Sequence, residues 1–181
     1  MLNQIYTTCE FIKEKTNFIP EYGVILGSGL GNFAEDINIE FTLPYTDIPN
    51  FPVSTVSGHK GALLFGTVGT KKVVAMQGRF HYYEGYDMKE VTFPIRVMKH
   101  LGVTKLIVSN ASGGVNPNYK VGSVVIITNH INMMPEHPLR GLNDERLGPR
   151  FVNMREPYSH HMIDKVNEIA KVNNIEVQEG V

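Results

Sequence analysis

Apolar residues open the chain at steps of three and four, Leu2, Ile5, Cys9 and Ile12, which predicts an amphipathic helix packed on a core and ended by Pro20. The pattern then becomes continuous. Tyr22 to Leu26 is a short apolar run that breaks into Gly27-Ser28-Gly29-Leu30-Gly31, a buried strand feeding a glycine-rich loop. Phe41 to Pro52, with three prolines, predicts irregular backbone. Ala62 to Val68 and Lys72 to Gln77 are β-rich and separated by Gly69-Thr70-Lys71, a hairpin signal. Asp87 then caps a helical pattern through Val91, Ile95, Met98 and Leu101, with Gly102 as its stop and Pro94 as a bend. Lys105 to Ser109 predicts another buried strand and Val124 to Thr128 a further one. Residues 129–157 hold four prolines, four arginines and two histidines with no regular period, which points to a functional or interface loop. A helix from about Ser159 to Val172 and a strand from Ile175 to Val181 complete the pattern.

Strands alternating with helices predict an α/β protein with a mixed twisted central sheet and flanking helices. In such sheets ligands gather outside the carboxyl ends of strands, and three strands here end in motif-like loops: GSGLG, GRFHYYEGY and NASGG. A length of 181 residues suffices for a substantial core and for one domain, or part of a larger one. The 17 Lys and Arg against 18 Asp and Glu leave a net charge of −1, so no basic stripe marks nucleic acid or anionic lipid as partners. Any bound anion must be held locally. The single cysteine, Cys9, has no partner within the chain for a disulfide, which favours a reducing cytoplasm. No apolar run reaches membrane-spanning length, and the start lacks a signal-peptide layout.

The three loops carry candidate chemistry. GSGLG offers backbone N–H groups unobstructed by Cβ atoms, with the Ser28 hydroxyl as a further donor; a plain glycine turn is the alternative. It has no P-loop lysine and no acidic residue at the strand end expected for a dinucleotide ribose. Arg79, just past a strand end, suits bidentate phosphate recognition, or a surface ion pair. His59, in SGHKG, is either a ligand donor or a solvated loop residue. His81 with Tyr82, Tyr83 and Tyr86 suits a sugar, whose hydroxyls take hydrogen bonds while its carbon face packs on rings; half-buried packing is the alternative. Asn110-Ala111-Ser112-Gly113-Gly114 leaves room for a flat ligand, or is a turn. Their conjunction favours a phosphate and a nucleoside-like partner side by side. No HExxH or CxxC occurs, and His160 and His161 face different ways on one helix, so a metal site is not expected.

GSGLG at 27 to 31, SGHKG at 57 to 61, MQGRFHYYEGY at 76 to 86, SNASGGVNP at 109 to 117 and PLRGLNDERLGPRF at 138 to 151 together resemble the trimeric purine nucleoside phosphorylases. The strings run in order along the whole chain, and GRFHYYEGY and NDER separate it from the related methylthioadenosine phosphorylases. The resemblance implies the nucleoside phosphorylase fold and reversible phosphorolysis of inosine- or guanosine-type nucleosides, releasing free purine and ribose 1-phosphate in purine salvage. It implies that Ser28, His59, Arg79 and the backbone N–H of Ala111 hold phosphate and that His81 and Tyr83 are catalytic. Tyr83 and Phe151 would contact ribose, Phe151 across the interface of a homotrimer, and Ala111, Ser112 and Gly113 would line the base. It implies no metal or organic cofactor, with inorganic phosphate as co-substrate, and no nucleic-acid or membrane partner.

The same resemblance implies that residues 1–181 are the N-terminal two-thirds of a single domain. The purine-gripping carboxylate and asparagine, a second phosphate-binding serine and a ribose-contacting methionine belong to a C-terminal third beyond Val181. Ser112 stands where the family commonly has alanine. The alternative to an active phosphorylase is a catalytically crippled phosphate- or nucleoside-binding fragment, or one subunit of a split enzyme.

Overall fold

A computed structural model describes residues 1–27, 29–53 and 61–181, arranged as two compact units, Met1–Ala111 and Ser112–Val181.

The first unit is built on a five-stranded sheet. Helix α1 spans Leu2–Thr16 and buries Leu2, Ile5, Cys9 and Ile12, the face set by the sequence spacing. It stops ahead of Pro20: Asn17 takes a left-handed conformation at φ 45° and returns its N–H to the Lys13 carbonyl. Strand β1 is Tyr22–Ile25, β2 is Asn38–Pro44, β3 is Ala62–Val68 and β4 is Lys71–Gln77. Helix α2 spans Met88–Leu101, and β5 is Lys105–Val108. The strand order is β2-β3-β4-β1-β5. The first three pair antiparallel, while β1 runs parallel to both β4 and β5, so the sheet is mixed as expected.

Two of the expected elements differ in the structure. Phe41 to Pro44 is strand, not irregular backbone: β2 is the outer strand on its side, where Pro44 can close the strand without a missing N–H breaking a ladder. Its mostly exposed side chains leave no period-two apolar signal to read. Strand β5 is apolar but exposed over Leu106 to Val108, because it is the outer strand on the other side, paired only to β1 within this sheet.

The middle of the sheet is buried on both faces. Val24, Leu26, Leu64, Val73 and Ala75 cluster with Ile37. Leu63, Phe65, Val74 and Met76, which alternate with them, are also buried. Asp87 caps α2 reciprocally, its Oδ1 accepting the Glu90 N–H at 2.8 Å and its own N–H donating to Glu90 Oε2 at 2.9 Å. The helix continues through Pro94 and buries Phe93, Pro94, Val97, Met98 and Leu101, ending at Gly102 with φ 120°.

Strand register aligns the ends of the central strands. Ile25 at the end of β1 lies opposite Met76 of β4 and Val108 of β5, so three parallel strands deliver their carboxyl ends to one rim.

In the second unit, β6 (Val124–Ile127) pairs parallel with β7 (Val177–Gly180). Helix α3 spans His160–Val172 and is capped by Ser159, whose side chain accepts the Met162 N–H. Residues 129–157 carry one short 3-10 turn, Glu145–Leu147, in keeping with their lack of period.

Candidate active site

The rim of the first sheet is knitted around Ser109, the residue leaving β5. Its N–H and its hydroxyl both donate to the Ile25 carbonyl at 3.2 Å, while the hydroxyl oxygen accepts the Gly27 N–H at 2.9 Å. Its carbonyl accepts from Nη1 of Arg79 at 2.8 Å. Gly27 must be glycine: a Cβ there would lie 2.4 Å from the Ser109 carbonyl oxygen. One serine therefore touches the glycine loop after β1, the arginine after β4 and the NASGG loop of which it is the entrance.

The Arg79 loop has its own anchor. Gly78 turns the chain out of β4 with φ 91°, a conformation that favours glycine. The Tyr45 hydroxyl donates to the Gly78 carbonyl at 2.7 Å, and the Tyr45 N–H donates to the Gly61 carbonyl at 2.9 Å. Tyr45 is buried against Phe51 and Phe80, with ring centroids at 5.5 and 5.0 Å. Burial pushes its phenol well above the usual tyrosine range, so the hydroxyl stays protonated and remains a donor.

Arg79 also donates from Nε to His81 Nε2 at 3.1 Å. A guanidinium has no acceptor, so Nε2 must carry the lone pair and Nδ1 the proton. Nδ1 accordingly donates to Glu84 Oε1 at 2.7 Å, and the same oxygen accepts the His81 backbone N–H at 3.0 Å. The Glu84 side chain is 3% exposed. His81 is thereby held in one orientation between an arginine and a buried carboxylate. Among the described residues, two of the guanidinium's five N–H groups are bonded within the protein. Tyr83 stacks on the His81 ring, centroids 4.7 Å apart and planes 18° apart, and its own side is 78% exposed.

The sequence-derived residues therefore divide. Arg79, His81 and Tyr83 come together. Tyr86 packs edge-on to Phe80 and donates its hydroxyl to the Val53 carbonyl, so it anchors the loop. Ser28 and His59 lie outside the described residues. Ala111 is exposed at the end of the first unit. Ser112, Gly113 and Phe151 belong to the second unit. There Phe151 is 89% exposed, next to Arg150, whose Nη1 donates to the carbonyls of Leu139 at 2.8 Å and Gly141 at 2.6 Å and so shapes the preceding loop. In the same loop Arg146 forks onto Asp144 at 2.8 and 2.7 Å, and these bonds hold the Asp144 carboxyl below its usual range.

Glu84, Ser109 and Tyr45 were not singled out from the sequence. Glu84 had a faint signal, an acid three residues after His81 in the pattern of a capping box. Ser109 and Tyr45 had none, since their partners lie far along the chain. No three His, Cys, Asp or Glu side chains gather among the described residues, and no described helix is long and apolar enough to cross a membrane.

The chain is also similar to known proteins. The profile of the Phosphorylase superfamily matches residues 21–181. The chain is 51% identical over 177 residues to purine nucleoside phosphorylase 1 of Geobacillus stearothermophilus, covering 98% of this chain and 65% of that one. It is 50% identical to purine nucleoside phosphorylase 1 of Bacillus subtilis, covering 100% and 67%. Among solved structures it is similar to isoform 2 of purine nucleoside phosphorylase from Schistosoma mansoni in complex with cytosine and ribose-1-phosphate. That match has a TM-score of 0.94 at 43% identity and covers 99% of this chain and 65% of that one. The chain thus spans about two thirds of the length of these relatives.

Proposed function

This chain belongs to the phosphorylase superfamily and, within it, to the purine nucleoside phosphorylases, and from that premise we propose that it serves reversible phosphorolysis of purine nucleosides. In the forward direction the bond between the purine nitrogen and C1′ of the sugar breaks and its electron pair leaves with the base. A phosphate oxygen then bonds to C1′, giving ribose 1-phosphate. The observation that carries this reading is the Gly27–Ser109–Arg79 rim: a glycine loop and an arginine fork fixed to one serine at the carboxyl ends of three parallel strands.

Phosphate is assigned to Arg79 and the Ala111 N–H, together with Ser28 and His59 of the matching motifs. The stretched glycosidic bond leaves positive charge on the ribose, and a phosphate dianion fixed beneath it both stabilises that charge and attacks. Positioning and electrostatics carry the rate. His81 and Tyr83, already stacked, face the sugar and its phosphate in this reading, with His81 acting as an oriented polar contact. Ala111, Ser112 and Gly113 are assigned to the base, and Phe151 to the ribose of a neighbouring copy in a homotrimer. Both units are read as parts of one domain. The substrates are inosine- and guanosine-type nucleosides with phosphate as co-substrate, without metal or organic cofactor, in cytoplasmic purine salvage.

The test is cleavage of inosine with and without added phosphate. Cleavage that requires phosphate supports the proposal; equal cleavage in its absence indicates hydrolysis and overturns it.

A further inference from the structure

We propose that Ser109 is a positioning residue for phosphate, its hydroxyl setting the glycine loop at a fixed distance from Arg79. The inference rests on the phosphorolysis reading and adds to it a residue that the sequence motifs leave unassigned.

The geometry is specific to a hydroxyl. A serine side chain supplies one donor and acceptor lone pairs, and here both are in use: the O–H goes to the Ile25 carbonyl at 3.2 Å, and the oxygen accepts the Gly27 N–H at 2.9 Å. The same residue's carbonyl holds Arg79 Nη1 at 2.8 Å. Gly27 and Arg79 follow different strands, β1 and β4, and Ser109 is bonded to both. The contact is also tight on the other side, where the glycine Cα leaves no room for a side chain against the Ser109 carbonyl. With the hydroxyl removed, the Gly27 N–H loses its acceptor and the glycine loop loses its bonded stop against β5. Arg79 keeps its carbonyl partner, so the two halves of the phosphate site lose their common reference while each stays folded. A displacement of about 1 Å in such a site is enough to matter for a reaction that depends on positioning.

The experiment compares the full chain with Ser109→Ala and Ser109→Thr, measuring KM for phosphate and for inosine separately. Ser109→Ala should raise KM for phosphate about tenfold while moving KM for inosine by less than about twofold, and Ser109→Thr, which keeps the hydroxyl, should restore the wild-type value. Should the alanine variant fail to fold by circular dichroism, Ser109→Cys replaces it, since a thiol fills the space but accepts weakly, and the same phosphate-selective rise is expected. Unchanged KM for phosphate, or an equal rise in both constants, overturns the inference while leaving phosphorolysis intact. A wild-type chain that cleaves no inosine overturns the phosphorolysis reading and this inference with it.

Discussion

Gly27 donates its N–H to the Ser109 hydroxyl at 2.9 Å, and the missing side chain of the same glycine is what lets the Ser109 carbonyl pass beside it. A methyl group on Gly27 would lie 2.4 Å from that oxygen, 2.8 Å from its carbon and 2.9 Å from Asn110 Cα. All three are backbone atoms just beyond the end of β5, held there by the Ser109 bonds to Ile25 and Gly27, and have little freedom to yield. Gly27→Ala is therefore expected to lower stability by about 1–3 kcal/mol, read as a lower urea midpoint at unchanged slope. A midpoint equal to wild type would show that β1 and β5 are not packed this closely.

Arg79 uses two different arms of its fork on the protein, Nε toward His81 and Nη1 toward Ser109. A lysine carries the charge but cannot occupy both positions and still offer donors to an anion. Both Arg79→Lys and Arg79→Ala should weaken phosphate on the order of 10²-fold, with a smaller effect on nucleoside, in steady-state kinetics at varied phosphate. Full activity in the lysine variant would mean that charge alone suffices there.

The tautomer of His81 is dictated by its neighbours, so it can be observed directly. Nitrogen-15 chemical shifts should show a protonated Nδ1 and an unprotonated Nε2 in the wild-type chain, because Glu84 accepts at one end and Arg79 donates at the other. Glu84→Ala should release the ring and lower kcat/KM by about tenfold, whereas Glu84→Gln, which keeps an acceptor oxygen, should lose less. A protonated Nε2 in the wild type would contradict the Arg79 contact.

Much of the fold could be read from local pattern. The α1 face, the β3–β4 hairpin, the Asp87 cap of α2, its Gly102 stop and α3 each depend on residues within a few positions of one another. Strand β2 could not, because an exposed outer strand has no buried face to impose alternation. The same division holds at the site. Arg79 was legible as an arginine just beyond a strand end. Ser109 was not, because its meaning comes from parallel pairing with a strand 82 residues away in its bond to Gly27, and Tyr45 was not, because its hydroxyl reaches Gly78 across 33 residues.

Cys9 lies between α1 and α2, with its thiol 3.6 Å from the Val97 carbonyl. Burial is the main cause pushing its proton affinity up, from an ordinary 9.0 to about 11. Because the folded state holds this proton more tightly than the unfolded one, the stabilisation is fully present below pH 9.0 and is lost as pH rises from there through about 11. Native protein at pH 8 should resist iodoacetamide, and urea-unfolded protein should react promptly. Equal rates in the two states would place Cys9 outside the core.

Delivery of phosphate by this rim to the sugar of a purine nucleoside can be followed by phosphorus-31 NMR of a reaction containing only the chain, inosine and inorganic phosphate. The expected result is a sugar-phosphate ester signal of ribose 1-phosphate growing in step with hypoxanthine, and none when phosphate is left out. Hypoxanthine released together with free ribose, with the inorganic phosphate signal undiminished, would contradict the account.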